Sequence, residues 1–146
     1  MLLSKEIAVE INLTGCRLKH FMAAMLKQNN VDLTPEQFLL IDLLWNNGPM
    51  SQQQLADQMQ KDKNSVTKLV DAIERKGFVQ RSQNPQDRRS NTIILTEKAQ
   101  NLKFGAKEVG ISSLNKMLEG IEEEELHNFL GTLRKLSQNM ALPESC

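Results

Sequence analysis

The fold is decided by residues 51–96, which read SQQQLADQMQKDKNSVTKLVDAIERKGFVQRSQNPQDRRSNTIILT. This stretch begins with Ser51, whose hydroxyl can accept a hydrogen bond from the free backbone N–H groups at a helix start. Residues 52–59 then have the pattern of a short helix, with Leu55 and Met59 on its inward face. We therefore expect a helix of about two turns, followed by a tight turn.

A second helix is predicted directly after that turn. Asp62 is a candidate N-cap, and Gly77 is suited to end the helix because glycine readily adopts left-handed backbone conformations. Between these two positions, apolar side chains recur at the i, i+3, i+4, i+7 spacing of one buried stripe. The residues of this stripe are Val66, Leu69, Val70 and Ile73. The two helices and their turn predict a helix-turn-helix.

The outward face of the second helix is polar at its N-terminal end. The candidate DNA contacts on this face are Lys63, Asn64, Ser65, Thr67 and Lys68. Short hydrogen-bonding side chains allow a helix to enter the major groove, where Asn can pair with adenine and Lys can reach guanine or phosphate. Taken alone, the same pattern also fits an ordinary solvated helix face.

A β-hairpin is predicted after the second helix. Residues 78–81 and 92–95 are short β-prone runs, and residues 82–91 between them are polar and rich in turn formers. The pattern indicates a wing with a long exposed tip.

Three arginines lie on or beside this tip: Arg81, Arg88 and Arg89. A narrow minor groove rich in A·T pairs attracts arginine through its concentrated negative potential. Phosphate repels Asp87, so we expect that carboxylate to hold the Arg89 guanidinium in place. A solvated charged turn is the alternative interpretation of this segment.

The combination resembles the MarR family of winged helix-turn-helix transcriptional regulators. The residues that carry the resemblance are Leu33-Thr34-Pro35-Glu36-Gln37-Phe38, Gln54-Leu55-Ala56, Ser65-Val66-Thr67-Lys68-Leu69-Val70, Glu74-Arg75-Lys76-Gly77-Phe78-Val79, and Asn84-Pro85-Gln86-Asp87-Arg88-Arg89 leading into Leu95-Thr96. Resemblance to this family implies a cytoplasmic homodimer, usually a repressor, bound to a pseudo-palindromic operator.

The resemblance also implies roles for individual segments. The helix over residues 63–76 would enter the major groove. The family's Asp-x-Arg wing element falls on Asp87 and Arg89, so Arg89 would enter the minor groove and Arg88 would touch the DNA backbone. A small-molecule effector is left open, and no ligand-binding residues are assigned, although Phe21, Met22, Met25 and Phe38 are candidates to line a cleft.

Charge is unevenly distributed along the 146 residues, although the formal net charge is zero. Residues 1–60 carry four basic and six acidic side chains, residues 61–89 carry eight and four, and residues 90–146 carry six and eight. Positive charge is therefore concentrated in the predicted DNA-reading segment, as nucleic-acid binding requires.

Nothing in the sequence predicts export or membrane insertion. The N-terminal residues lack a basic region before an apolar core, and no apolar run approaches the 18 or so residues that span a bilayer. Cys16 and Cys146 are too few for a disulfide scaffold, so a reducing compartment is expected. We expect a cytoplasmic protein with no membrane partner.

The flanking segments are predicted to be helices with apolar stripes. They cover residues 5–28, residues 97–118, and a last helix from about Glu122. The segment that begins at Leu33-Thr34-Pro35 is apolar nearly all round, so we expect it in the centre of the protomer. A small winged-helix core cannot cover all of these stripes, so we expect them to pair with a second copy. A monomeric helical bundle is the alternative.

The predicted fold is mainly α with a small β component: one protomer over residues 1–146, with a winged helix-turn-helix over 33–96. Residues 1–30 and 97–146 are predicted to supply the N- and C-terminal dimerisation helices.

No cofactor or metal is predicted. Cys16 and His20 share a helical face at i and i+4, but two ligands make a weak site, and a third would have to come from His127 or the partner chain. A small cysteine beside a packed or surface histidine is the favoured explanation of this pair.

Catalysis is not expected either. The sequence lacks phosphate-binding glycine loops, zinc-protease and nucleophile motifs. The competing hypothesis is a winged-helix adaptor for proteins that does not bind DNA, since one fold can serve both uses.

Overall fold

The computed structural model describes residues 2–84 and 87–142, and it describes only the backbone of residues 83, 84 and 87–91. Its elements in chain order are α1 (Leu3–Gln28), α2 (Pro35–Asn47), β1 (Met50–Ser51), α3 (Gln52–Met59), α4 (Lys63–Arg75), β2 (Val79–Asn84), β3 (Asp87–Leu95), α5 (Glu97–Met117) and α6 (Glu123–Asn139). The predicted fold class, mainly helical with a small sheet, is confirmed.

Two of the helix starts are capping boxes. The Thr34 hydroxyl accepts the Gln37 backbone N–H, and the Gln37 side chain accepts the Thr34 N–H in return. Ser51 and Gln54 make the same reciprocal pair at the start of α3, which confirms Ser51 as a cap. Each box satisfies two backbone donors that a helix start otherwise leaves free.

The predicted cap of α4 is only partly right. Asp62 occupies the N-cap position, but its side chain caps no backbone N–H group. Its carboxylate instead accepts a hydrogen bond from the Ser65 hydroxyl. A carboxylate at this position can choose between hydroxyl and backbone donors, and sequence does not reveal which one it takes.

The core lies between the helix-turn-helix and α2. Its largest fully buried side chains are Leu26, Leu40, Ile41, Leu44, Leu55, Val66, Val70, Ile73, Val79 and Ile93. The α4 stripe is buried as predicted, with Leu69 only partly covered. α5 packs closely here: a Cβ atom on Gly110 would lie 3.1 Å from Cζ of Phe38.

The sheet has three antiparallel strands in the order β1-β3-β2. Its register pairs Val79 with Leu95 and Ser82 with Thr92, and shifts between Gln83 and Asn84. The predicted wing is therefore present, but its strands are longer than expected. Residues 82–84 and 87–91, predicted as a loop, continue the two strands, because ladder hydrogen bonds outweigh weak local turn preferences.

The chain divides into two compact units, residues 1–113 and 114–146. In the first unit, residues 2–20 of the N-terminal segment are exposed throughout. In the second, α6 has no buried residue. No helix among the described residues is long and apolar enough to cross a membrane. The predicted division into DNA-binding and dimerisation segments stays a prediction.

Candidate nucleic-acid interface

α4 is positioned by its apolar stripe. Val66, Val70 and Ile73 are fully buried against the core, which fixes the rotation of the helix about its axis. Lys63, Asn64 and Lys68 consequently face outward and are exposed. The helix therefore presents two cations and one amide near its N-terminal end, a group set that can bind phosphates and base edges.

The other two candidates on α4 are engaged within the protein. Ser65 is half-buried and donates its hydroxyl to Asp62. Thr67 donates its hydroxyl to the Lys63 carbonyl, with an O–O distance of 2.9 Å, and accepts the Gln52 amide at 2.9 Å. A contact of either hydroxyl with DNA would have to share or replace these bonds, so their predicted role stays untested.

Arg81 lies on β2, and its guanidinium faces α4. Nη1 lies 2.7 Å from Glu74 Oε1, and Nη2 lies 2.5 Å from Asp71 Oδ1. Nε donates to Gln52 Oε1 at 3.2 Å. The structure thus brings Arg81 beside α4, with its donors directed to protein acceptors.

The remaining wing candidates are Asp87, Arg88 and Arg89. Their backbone belongs to β3, but their side chains lie outside the described part of the structure. Cys146 also lies outside the described residues. The predicted pairing of Asp87 with Arg89, and the minor-groove role of Arg89, stay predictions.

Two carboxylates around the helix-turn-helix have altered acidity. The hydrogen bond from Ser65 lowers the pKa of Asp62 below its ordinary 3.8. Glu36 bonds Lys61 at 3.2 Å and Lys19 at 3.5 Å, and the Lys61 hydrogen bond is the main reason why its pKa falls below 4.5. Both groups are therefore anionic under ordinary conditions, and Glu36 links α1 to the turn before α4.

Sequence reasoning missed three residues of the interface: Gln52, Asp71 and Glu74. Asp71 and Glu74 are three residues apart on α4, a spacing that places both on one helical face. The spacing of Asp71 and Glu74 is visible in the sequence, but their partner is not, because Arg81 reaches them only through the packing of the wing against α4. Gln52 gave no indication at all, since its contacts lie 15 and 29 residues away.

The possible metal site on α1 is not completed among the described residues. Cys16 and His20 are both exposed on α1, and no cluster of three potential metal-ligating side chains occurs there. Phe38 packs edge-on against Trp45, with ring centroids 6.0 Å apart. A shallow groove of 430 Å³ lies beside Lys27 and Lys76, and none of the predicted cleft residues lines it.

The chain is similar in sequence and in fold to known transcriptional regulators. Residues 33–90 match the model of the MarR family. YfiV of Bacillus subtilis (strain 168), named as an HTH-type transcriptional regulator, is 35% identical over 95 residues, which are 65% of this chain and 59% of YfiV. The chain thus spans less than two thirds of that relative's length.

Two solved structures share the fold. The S. aureus MepR–DNA complex superposes with a TM-score of 0.84 and 22% identity, covering 91% of this chain and 97% of MepR. An organohalide-sensing regulator, RdhR, in its 2,4-dichlorophenol-bound form superposes with a TM-score of 0.86 and 22% identity, covering 96% and 82%. The likeness extends over nearly the whole chain, including the helices outside the winged region.

Proposed function

We propose that the chain is a MarR-family regulator, because its residues 33–90 match the model of that family, and that it regulates transcription by binding double-stranded DNA as a homodimer. The observation that carries the proposal is the exposed end of α4. Lys63, Asn64 and Lys68 are held outward by the buried side chains of Val66, Val70 and Ile73, and β2 of the wing packs against α4.

The division of labour at the interface follows from chemistry. Lys63 and Lys68 contact phosphate or guanine, and Asn64 reads adenine in the major groove. Arg88 contacts the DNA backbone and Arg89 enters the minor groove, with Asp87 orienting it. Ser65 and Thr67 lie at the same helix end and complete the proposed contact surface.

The homodimer is supported by apolar surface that the single chain leaves uncovered. α1 exposes Ile7 and Ile11, α5 exposes Phe104, and α6 exposes Phe129 and Leu130. Burying such faces against a second copy removes them from water. Two copies related by a two-fold axis would place their α4 helices about 34 Å apart, which matches successive major grooves and demands a pseudo-palindromic operator.

The finer assignments extend the same proposal. Residues 33–96 form the DNA-binding region, and residues 1–30 and 97–146 form the dimerisation helices. The protein acts in the cytoplasm, where its DNA is, as a repressor without catalytic activity. RdhR was solved with 2,4-dichlorophenol bound, which supports a small-molecule effector here too. No finding favours the adaptor hypothesis.

A salt titration of DNA binding tests the proposal. Affinity for a random duplex should fall steeply as salt rises, with log K decreasing by about 0.9 per log salt for each phosphate neutralised. Lys68→Gln should weaken binding, whereas Lys135→Gln, an exposed lysine on α6, should bind like the parent protein. An operator can then be selected from a randomised duplex pool. A protein that binds no duplex in dilute buffer would contradict the proposal.

A further inference from the structure

Gln52 joins three elements of the winged region. It is the first residue of α3 and only 9% exposed. Its amide nitrogen donates to the Thr67 hydroxyl on α4, and its amide oxygen accepts from Arg81 Nε on β2. An amide offers both a donor and an acceptor. One side chain therefore ties α3, α4 (the proposed recognition helix) and β2 of the wing together.

Arg81 completes this connection with all three of its guanidinium nitrogens. Nε bonds Gln52, Nη1 bonds Glu74 and Nη2 bonds Asp71, while the Arg81 backbone N–H donates to the second oxygen of Glu74 at 3.3 Å. The side chain is 21% exposed. A planar guanidinium bonded in three directions is fixed in position and orientation.

The charges in this cluster oppose the release of Arg81 to DNA. Asp71 and Glu74 both face the one guanidinium. If Arg81 turned to a phosphate, the two carboxylates would lose their shared cation and stand near the negatively charged duplex. The Arg81 guanidinium is therefore more stable when bonded to Asp71 and Glu74 than when turned to a phosphate.

We propose that Gln52 and Arg81 are positioning residues that fix the wing against the recognition helix, so that both DNA grooves are met at once, and that Arg81 does not itself contact DNA. This inference rests on the proposed function. Once α4 has bound the major groove, binding of the wing to the neighbouring minor groove is an intramolecular step, so it needs little further free energy. A wing whose angle to α4 varies is often misplaced for this second step, and the gain in affinity is lost.

The decisive variant is Arg81→Lys. Lysine keeps the charge, so it would still serve a phosphate contact, but it cannot bond three acceptors in a fixed fork. Positioning predicts that Arg81→Lys weakens operator binding on the order of tenfold. The matched control is Arg75→Lys at the exposed end of α4, where the Nε atom bonds only a backbone carbonyl of its own helix. That control should bind like the parent protein.

A double-mutant cycle adds a readout that a stability role would not move. Gln52→Met should weaken binding and reduce the effect of Arg89→Ala, because a misplaced wing gains less from its tip. Gln58→Met, an exposed glutamine on α3, should leave the Arg89→Ala effect unchanged. Circular dichroism of each variant confirms that it is folded.

The outcomes separate the two proposals. If the parent protein binds DNA but Arg81→Lys binds equally well, or if the Gln52→Met and Arg89→Ala effects simply add, the positioning role is wrong. If the parent protein binds no duplex, the proposed function itself fails. If Gln52→Met does not fold, the comparison of Arg81→Lys with Arg75→Lys still decides.

Discussion

α4 and α6 have similar sequence patterns and opposite surroundings. Both helices carry a one-sided apolar stripe, and in α4 its members Val66, Val70 and Ile73 are completely covered by the same chain. The α6 stripe comprises Leu126, Phe129, Leu130, Leu133 and Leu136, and α6 has no buried residue. A periodic stripe therefore shows that a face needs cover, but it does not show which chain supplies it.

The polar contacts differ in the same way. Among the described residues, five of the six ion pairs fall between residues 19 and 81, and the sixth joins His127 to Glu123 within α6. Directional contacts fix geometry, whereas apolar faces supply adhesion. Ion pairs therefore hold the winged region and the neighbouring α1 in place, whereas α6 leaves its apolar face exposed in the single chain.

The strongest test of this contrast is a charge on the α6 stripe. Phe129 is 59% exposed in the single chain. In the proposed dimer the Phe129 side chain of each protomer is buried. Phe129→Glu should therefore destabilise the dimer by on the order of 3–6 kcal/mol, about 1.5–3 for each of the two side chains. Sedimentation should show monomers. Gln138→Glu, on the opposite face, should remain dimeric, and a dimeric Phe129→Glu would contradict the proposed interface.

A truncation in the covered stripe should act on the fold itself. Ile73→Ala removes a fully buried side chain, so the free energy of unfolding should fall by about 2–5 kcal/mol. Ile111→Ala, at a site 61% exposed in the single chain, should have an effect that depends on protein concentration. Denaturant unfolding at two concentrations measures both. If Ile73→Ala and Ile111→Ala lower the free energy of unfolding equally and at both protein concentrations, the proposed difference between the covered and the exposed apolar face is wrong.

A substitution in the wing should have a smaller effect, which is confined to DNA binding. Arg89→Ala should weaken operator binding by roughly 1–3 kcal/mol and leave dimerisation unchanged. A gel-shift titration measures the loss, with Arg134→Ala, an exposed arginine on α6, as the charge-matched control. Unchanged affinity would refute the role of Arg89.

The smallest effect concerns Glu36. Its depressed pKa means that its ion pairs stabilise the folded state above about pH 4.5, and that this contribution is lost as the pH falls through the lowered value. The carboxylate is 38% exposed, so Glu36→Gln should cost below about 1 kcal/mol at neutral pH and nothing in strong acid. Glu108→Gln is the control in pH-dependent unfolding. A difference that persists in acid would exclude the ion pairs as its cause.

Local patterns predicted most of the fold. Ser51, the α4 stripe and Gly77 set the helix-turn-helix, because caps, periodicity and breakers act within a few residues. The strand lengths were underestimated, since pairing across β2 and β3 overrides local turn preference.

The candidate site was less predictable. The exposure of Lys63, Asn64 and Lys68 follows from the buried stripe. The cluster around Arg81 depends on contacts among residues far apart in sequence, which the pattern of any one segment does not contain.

Glu36 also affects how the molecule responds to its ionic surroundings. It connects α1 to the turn preceding α4 through two lysines. Dissolved ions weaken exposed pairs of this kind as well as attraction to phosphate. In dilute buffer α1 is therefore held slightly more firmly to the turn before α4 than at high salt. A small part of the salt dependence expected for DNA binding would then arise inside the protein and not at the duplex.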